Sequence, residues 1–380
     1  MIYLDNAATT FPKPNCVYEA VEYTQRNTAV NVGRGSYQIA SDAMKVVDET
    51  RILMAELLNA HCPNDIVFSP SATIAANQII MGLDWDEYKV VYISPFEHNA
   101  IARPLELIRQ KYGVTIHMLP FDGETQKLDH EKMEQDFALS PPDYVFVNHI
   151  SNVTGVVLPV DDIAKAAKMY DATVVVDGSQ SVGLIKYNLQ NAAYDYLIFA
   201  GHKNLYASWG IGGFVKNSTH ALKAAFAGGT GSDSLNLSMG SSFPNSFEIG
   251  SPNIIAISSL NVSLKWIQKT GVENIWGKKK TLMQKLLLDL SELDVTLYLP
   301  SNEVEHTSVV SLNVPGYEPS ETGTILSADY DIAVRTGFHC APFIHDLIGT
   351  KDLHGTVRVS LGFFNTEDDI DHLIEALRSL

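Results

Sequence analysis

The sequence predicts an α/β protein: a large domain built on a mixed, mainly parallel sheet, followed by a smaller α+β domain. Three observations carry this expectation. Short β-prone apolar runs alternate with segments of helical periodicity between residues 66 and 215. Those runs are continuously apolar, as strands covered on both faces require. The chain has 380 residues, more than the ~250–300 at which a single core stops growing.

Taken in order, residues 1–15 are turn-rich, with Pro12 and Pro14, and read as a strap packing near the small domain. Helical periodicity runs from Ala43 to Leu58, a break follows at Pro63-Asn64, and Ile66-Val67-Phe68 is a short strand. A helix opens near Ser71 with Ala75, Ala76, Ile79 and Ile80 on its buried side. Strands are expected at 90–93, 114–117, 144–147, 173–176 and 196–199, with helices near 99–112 and 160–170. Residues 211–215 suit the antiparallel member of a mixed sheet. The stretch 219–253 is rich in Gly, Ser and Asn and lacks periodicity, which points to a functional or interface segment. Helices near 254–270 and 273–289, a strand at 307–312, a helix near 319–328, a strand at 356–361 and a closing helix from 368 complete the chain. The expected division is a large domain over 16–253 and a small one over 254–380.

The 44 acidic and 27 basic residues leave a formal charge of -17, which disfavours a nucleic-acid backbone as partner. No apolar run of ~18 residues suits a membrane span, and the first residues lack the basic and apolar segments of a signal peptide, so a soluble, cytoplasmic protein is expected. Cys16, Cys62 and Cys340 have no close spacing, so neither a disulfide framework nor a metal cluster is expected.

Ligands of an open parallel sheet sit beyond the carboxyl ends of its strands, and polar residues fall at several such ends. Asp177 follows Val174-Val175-Val176. A carboxylate there can keep a pyridine nitrogen protonated, as pyridoxal phosphate requires, or it can cap the next turn. Lys203 follows the next strand and can form an imine with an aldehyde if part of its amine is neutral; a solvated strand-exit lysine is the bland alternative. Its pairing with Asp177 one strand away favours the imine. His98 stands past the strand at 90–93, where an imidazole can lie over a flat ring or cap a helix.

Phosphate needs convergent donors at a helix start. Ser69-Pro70-Ser71-Ala72-Thr73 offers them, and His202 and the loop Gly228-Gly229-Thr230-Gly231-Ser232 add more, although Ser/Thr clusters are often plain caps. There is no Walker lysine motif and no Rossmann glycine fingerprint. Cys340, in Arg335-Thr336-Gly337-Phe338-His339-Cys340-Ala341-Pro342, reads as an exposed loop thiol able to act as a nucleophile if its thiolate is favoured. Arg358 lies in a predicted strand, where it can bind a substrate carboxylate or form a salt bridge. Asn152 can hydrogen-bond cofactor or substrate, or simply make a turn.

These residues resemble the class V aminotransferase family, most closely its cysteine desulfurase and selenocysteine lyase branch. The likeness rests on residues 3–10, Glu97-His98-Asn99, the Ser-Asn-Val-Thr-Gly at 151–155, Asp177-Gly178-Ser179-Gln180, Gly201-His202-Lys203, residues 247–253, the cysteine loop and Phe364-Asn365-Thr366. The resemblance implies a fold type I pyridoxal-phosphate enzyme, a homodimer with a shared site. Lys203 would carry the cofactor as a Schiff base, Asp177 would hold its pyridine nitrogen, His98 would stack on the ring and Gln180 would approach the ring oxygen. Ala72, Thr73 and His202 would lie at the phosphate, Thr230 would reach the phosphate of the neighbouring subunit, and Asn152 and Arg358 would meet the substrate carboxylate. Cys340 would take sulfur from L-cysteine as a persulfide, leaving L-alanine, and pass it to an acceptor protein or a reductant. The short spacing from Arg335 to Cys340 and on to Arg358 resembles the group II, SufS-like branch.

Three positions depart from the family pattern. Ala200 replaces a phosphate-binding serine, Ile74 stands where an acidic residue is common, and Ala207-Ser208-Trp209 replaces a Gly-Pro turn, with Trp209 placed to narrow the pocket. They leave open a selenocysteine lyase or another class V enzyme acting on a different amino acid. A non-enzymatic assembly protein is the remaining alternative, and it would form no Lys203 adduct.

Overall fold

The computed structural model describes residues 1–32, 35–230 and 235–380. Seven strands form the main sheet: β2 (Ile66–Ser69), β3 (Val90–Ile93), β4 (Thr115–Met118), β5 (Tyr144–Asn148), β6 (Thr173–Asp177), β7 (Tyr196–Ala200) and β8 (Gly212–Lys216). Their spatial order is β2-β8-β7-β6-β5-β3-β4. β8 runs antiparallel to both neighbours, and the pairings among β3 to β7 are parallel. β2, β5, β6 and β7 are buried along their length, as strands covered on both faces must be. The expected large mixed, mainly parallel sheet is therefore present, with 212–216 as its antiparallel member.

Helices α1 (Asn15–Asn27), α2 (Gln38–Leu58), α3 (Ala72–Gly82), α4 (Asn99–Tyr112), α5 (His130–Leu139) and α6 (Val160–Lys168) accompany this sheet. The sequence pattern marks neither α1 nor α5. α5 buries only Met133 and Phe137, too few apolar positions to show a period, and is fixed by Asp129, whose side chain accepts from the Lys132 amide. Among the described residues of 219–253 there is neither helix nor strand.

The second unit is a four-stranded antiparallel sheet, β12-β13-β10-β9, made of β9 (Thr296–Leu297), β10 (Val309–Asn313), β12 (Arg335–Gly337) and β13 (Thr356–Ser360). Helices α7 (Ile254–Thr270), α8 (Val272–Leu290), α9 (Pro319–Tyr330), α10 (Ile344–Leu347) and α11 (Glu367–Arg378) complete the chain. The cores do not divide at residue 254. Ile257, Leu260, Leu264 and Ile267 of α7, and Ile275 of α8, pack in the large core. Leu282, Met283, Leu286 and Leu290 of α8 belong to the small one, so α8 crosses from one to the other.

The strap joins the second unit through β1 (Ile2–Tyr3), which pairs in parallel with β11 (Ile332–Ala333). Asp5 then bridges to Ser360. Among the described residues, no helix is long and apolar enough to cross a membrane.

Candidate active site

The carboxyl ends of β3, β5, β6 and β7 bring Ile93, Asn148, Asp177 and Ala200 to one edge of the sheet, with Asn148 and Asp177 directly paired. A cavity of about 250 Å³ opens there, walled also by the strap, the start of α3 and the arginines of β12 and β13.

Lys203 enters it from the turn after β7. The turn is closed by bonds from Ala207 N to Gly201 O and from Tyr206 N to Lys203 O, both 2.8 Å. Gly201 is required there, because a Cβ would come within 2.8 Å of the Ile211 carbonyl oxygen. The Lys203 amine lines the cavity, is surrounded by protein, and has no hydrogen-bond partner among the described residues. Burial lowers its pKa to about 8; Asp177 opposes that shift, and Arg358 and Arg335 reinforce it.

Asp177 Oδ1 accepts from the Ser179 amide at 2.9 Å, which is the capping role, and Asp177 also lines the cavity. Behind it lies Glu97, fully buried. Glu97 Oε1 accepts from Ser94 Oγ and Asn148 N, each at 2.7 Å, while Oε2 has no partner among the described residues. Burial first, and Asp177 second, push its carboxyl up to about 8. Glu97 thus stands as a neutral acid that orients Asn148.

His98 caps α4: its Nδ1 accepts from the Ala100 amide at 3.0 Å, which leaves Nε2 as the protonated nitrogen. Burial, then the Lys203 charge, lower its pKa to about 4.

At the other end of the cavity, Ser71 Oγ accepts from Ile74 N at 3.2 Å, and Gly212 lies so close beneath that a Cβ would meet Ala72 N at 2.6 Å. The first-turn amides of Ala72 and Thr73 have no acceptor within their own helix. His202 stacks on Trp209 with ring centroids 4.0 Å apart, and its Nδ1 is buried without a partner among the described residues. Burial, then Lys203, hold His202 down at about 3. Ala200 presents a methyl group and Ile74 points to solvent, whereas Trp209 lines the cavity. Thr230 does not line the cavity of the single chain, and Gly231 and Ser232 lie outside the described residues. Gln180 reaches the wall but spends its Nε2 on the Ala7 carbonyl at 2.8 Å, clipping the strap.

Pyridoxal phosphate fits this donor set. Lys203 is an unbonded amine for its aldehyde, Asp177 a carboxylate for its ring nitrogen, and the α3 amides with the orphaned His202 nitrogen are donors for its phosphate.

At the end of the cavity where a substrate carboxylate is expected, Arg358 makes different contacts from those expected. Arg358 is buried, and both its Nη groups are committed: Nη2 to Asp5, Nη1 to the Asn152 carbonyl at 2.9 Å. This is the salt bridge weighed as its alternative role, and Nε has no partner among the described residues. Asn152 itself donates Nδ2 to the His339 carbonyl at 2.8 Å, bracing the cysteine turn.

Arg335, which the sequence reading passed over, lines the cavity and has no carboxylate partner among the described residues. Its Nη2 lies 2.9 Å from Cys340 Sγ. The turn is tight, with His339 and Cys340 at φ of 49° and 60°. It is anchored by His339 Nε2, 2.8 Å from Thr356 Oγ1. The signal for Arg335 in the sequence was a cation five residues before the cysteine.

The sequence model described as Aminotransferase class-V matches residues 2–373. A probable cysteine desulfurase of Pyrococcus abyssi is 30% identical over 390 residues, covering 100% of this chain and 94% of the relative. A cysteine desulfurase of Cronobacter sakazakii is 31% identical over 392 residues, covering 99% and 92%. The solved apo structure of a cysteine desulfurase from Thermococcus onnurineus NA1 superposes with a TM-score of 0.92 at 29% identity, over 100% of this chain and 94% of that one.

Proposed function

Since the chain belongs to the class-V aminotransferase family and has the type I fold of pyridoxal-phosphate-dependent transferases, we propose that it is a cysteine desulfurase, converting L-cysteine to L-alanine and taking the sulfur onto Cys340 as a persulfide. The observation that carries this reading is the Arg335 to Cys340 contact of 2.9 Å beside the cavity lined by Lys203. That contact, with the turn anchored by His339, holds the Cys340 sulfur beside the cavity. The names of the relatives support the same substrate.

Bound pyridoxal phosphate supplies an electron sink for the substrate α-carbon. Lys203, lowered to about 8, has a neutral fraction near neutrality that can take the α-proton. Asp177 holds the proton on the pyridine nitrogen, and Glu97 fixes Asn148 beside it. His98, uncharged above about 4, offers Nε2–H to the site without adding a positive charge. Arg335, helped by Arg358, faces the substrate carboxylate. Cys340 Sγ then attacks the substrate sulfur: the S–S bond forms as the carbon–sulfur bond breaks, its electron pair stays with the substrate carbon, and that carbon takes up a proton equivalent to the one the Cys340 thiol gives up. The one-electron oxidation of each of the two sulfurs is balanced by the two-electron reduction of the β-carbon, so no external oxidant is needed. A thiol reductant or an acceptor protein removes the sulfur, and in the homodimer we propose Thr230 reaches the neighbouring subunit's phosphate site.

The test is incubation of cofactor-loaded protein with L-cysteine, following alanine and one added sulfur on Cys340 by mass spectrometry. Cys340→Ala should keep the bound chromophore and lose both products. Fully loaded wild-type protein that yields no alanine would overturn the reading, and alanine from selenocysteine alone would reassign the substrate.

A further inference from the structure

α8 carries Lys279 between Ile275, packed in the large core, and Leu282, packed in the small one. Lys279 is 4% exposed, and no carboxylate pairs with it among the described residues. Its Nζ donates to Asn204 Oδ1 at 3.1 Å. Asn204, the neighbour of Lys203, donates Nδ2 to the Gln180 carbonyl at 2.6 Å, and Gln180 donates to the Ala7 carbonyl of the strap at 2.8 Å. A second cavity of about 10 Å³ adjoins this chain of bonds, lined by Lys279, Asn204, Gln180, Asn6, Thr307 and Ser360. The Thr307 hydroxyl is buried there without a partner among the described residues.

An unpaired buried ammonium is costly, and an apolar side chain of the same length would fill the space without that cost. What the lysine adds is direction. It offers donors and no acceptor, so the Asn204 oxygen must face it and the Asn204 nitrogen must face Gln180. A reversed amide would set oxygen against the Gln180 carbonyl and N–H groups against the ammonium. The cavity has room for about one water, which the lysine and the orphaned Thr307 hydroxyl can both bind.

We infer that Lys279 is a positioning residue of the active site, holding Gln180 and the strap through Asn204 and tying the seat of the small core to the cavity wall. The cofactor arm of the test rests on the reading above; the exchange arm does not. Lys279→Met is expected to fold with an undiminished melting temperature. Amides of residues 7–10 should exchange roughly ten-fold faster, about the worth of one hydrogen bond. The apo-protein's affinity for pyridoxal phosphate should fall by a similar factor. Asn204→Asp keeps the acceptor for Lys279 but removes the donor to Gln180, and it should loosen the same segment. Native exchange in the strap of folded Lys279→Met overturns the inference, as does native exchange in Asn204→Asp should the first variant fail to fold. A uniform rise in exchange with a lowered melting temperature would also overturn it, since Lys279 would then support only the fold. Wild-type protein that binds no pyridoxal phosphate would defeat the proposed function while the strap still reports on Lys279.

Discussion

Arg335 and Arg358 face each other directly across β12 and β13 as Cα partners of an antiparallel pair. Like charges so placed repel. Arg358 is neutralised by Asp5, whereas Arg335 has the Cys340 sulfur as its hydrogen-bonded neighbour. In the proposed reaction, an amino-acid carboxylate entering the cavity would supply the missing negative charge. Arg335→Gln should therefore lower kcat/KM for L-cysteine roughly 100-fold, and Arg335→Lys should recover part of it by restoring the charge without the fork. Steady-state kinetics with the alanine assay measures both.

Lys203 should capture the cofactor aldehyde with an unusual pH profile. Its amine is held at about 8 by burial, so the neutral fraction grows with pH until about 8 and then saturates. Stopped-flow absorbance of apo-protein mixed with pyridoxal phosphate should show the rate levelling off there, where an ordinary lysine would continue to gain up to ~10.4. Lys203→Ala should yield no covalent chromophore.

Glu97 makes the fold sensitive to alkali. Its folded pKa, raised to about 8 by burial, exceeds the unfolded value, so the folded state binds the extra proton. The stability it contributes is complete below about 4.5 and is lost as pH rises through about 8. Glu97→Gln keeps the acceptor used by Ser94 and Asn148 and places an amide where Oε2 has no partner. Urea unfolding should find this variant gaining on the wild type between pH 5 and pH 9.

Trp209 covers His202 in a stack tilted by 18°. Trp209→Ala removes that cover and admits water to the end of the cavity read as the phosphate site. The dissociation constant for pyridoxal phosphate, from fluorescence titration of apo-protein, should rise about five-fold, within the range of one aromatic contact. Binding of pyridoxal, which lacks the phosphate, should change little.

Asp177 and Lys203 were legible because a strand ends just before each, and a parallel sheet delivers its strand ends to one edge. The same logic found His98 and Asn152. Arg335 was marked only by its five-residue spacing from Cys340; that it lies opposite Arg358 depends on the register of β12 against β13, which no local pattern encodes. The partner of Arg358 was not legible: Asp5 lies 353 residues away. The boundary expected at residue 254 followed a change in periodicity, but α7 turns its apolar face to the large core, so composition along the chain did not mark where one core gives way to the next.

The strap sets a timetable for the nascent protein. Asp5 and Asn6 leave the ribosome more than 350 residues ahead of their partners Arg358, Ser360 and Asn365. The main sheet, with Asp177 and Lys203 at its edge, can form long before that. During synthesis the cavity is therefore incomplete until β13 emerges and Arg358 pairs with Asp5. A chain truncated before β13 would strand Asp5 without its counter-ion, leaving the sheet edge assembled and the Arg358 wall missing.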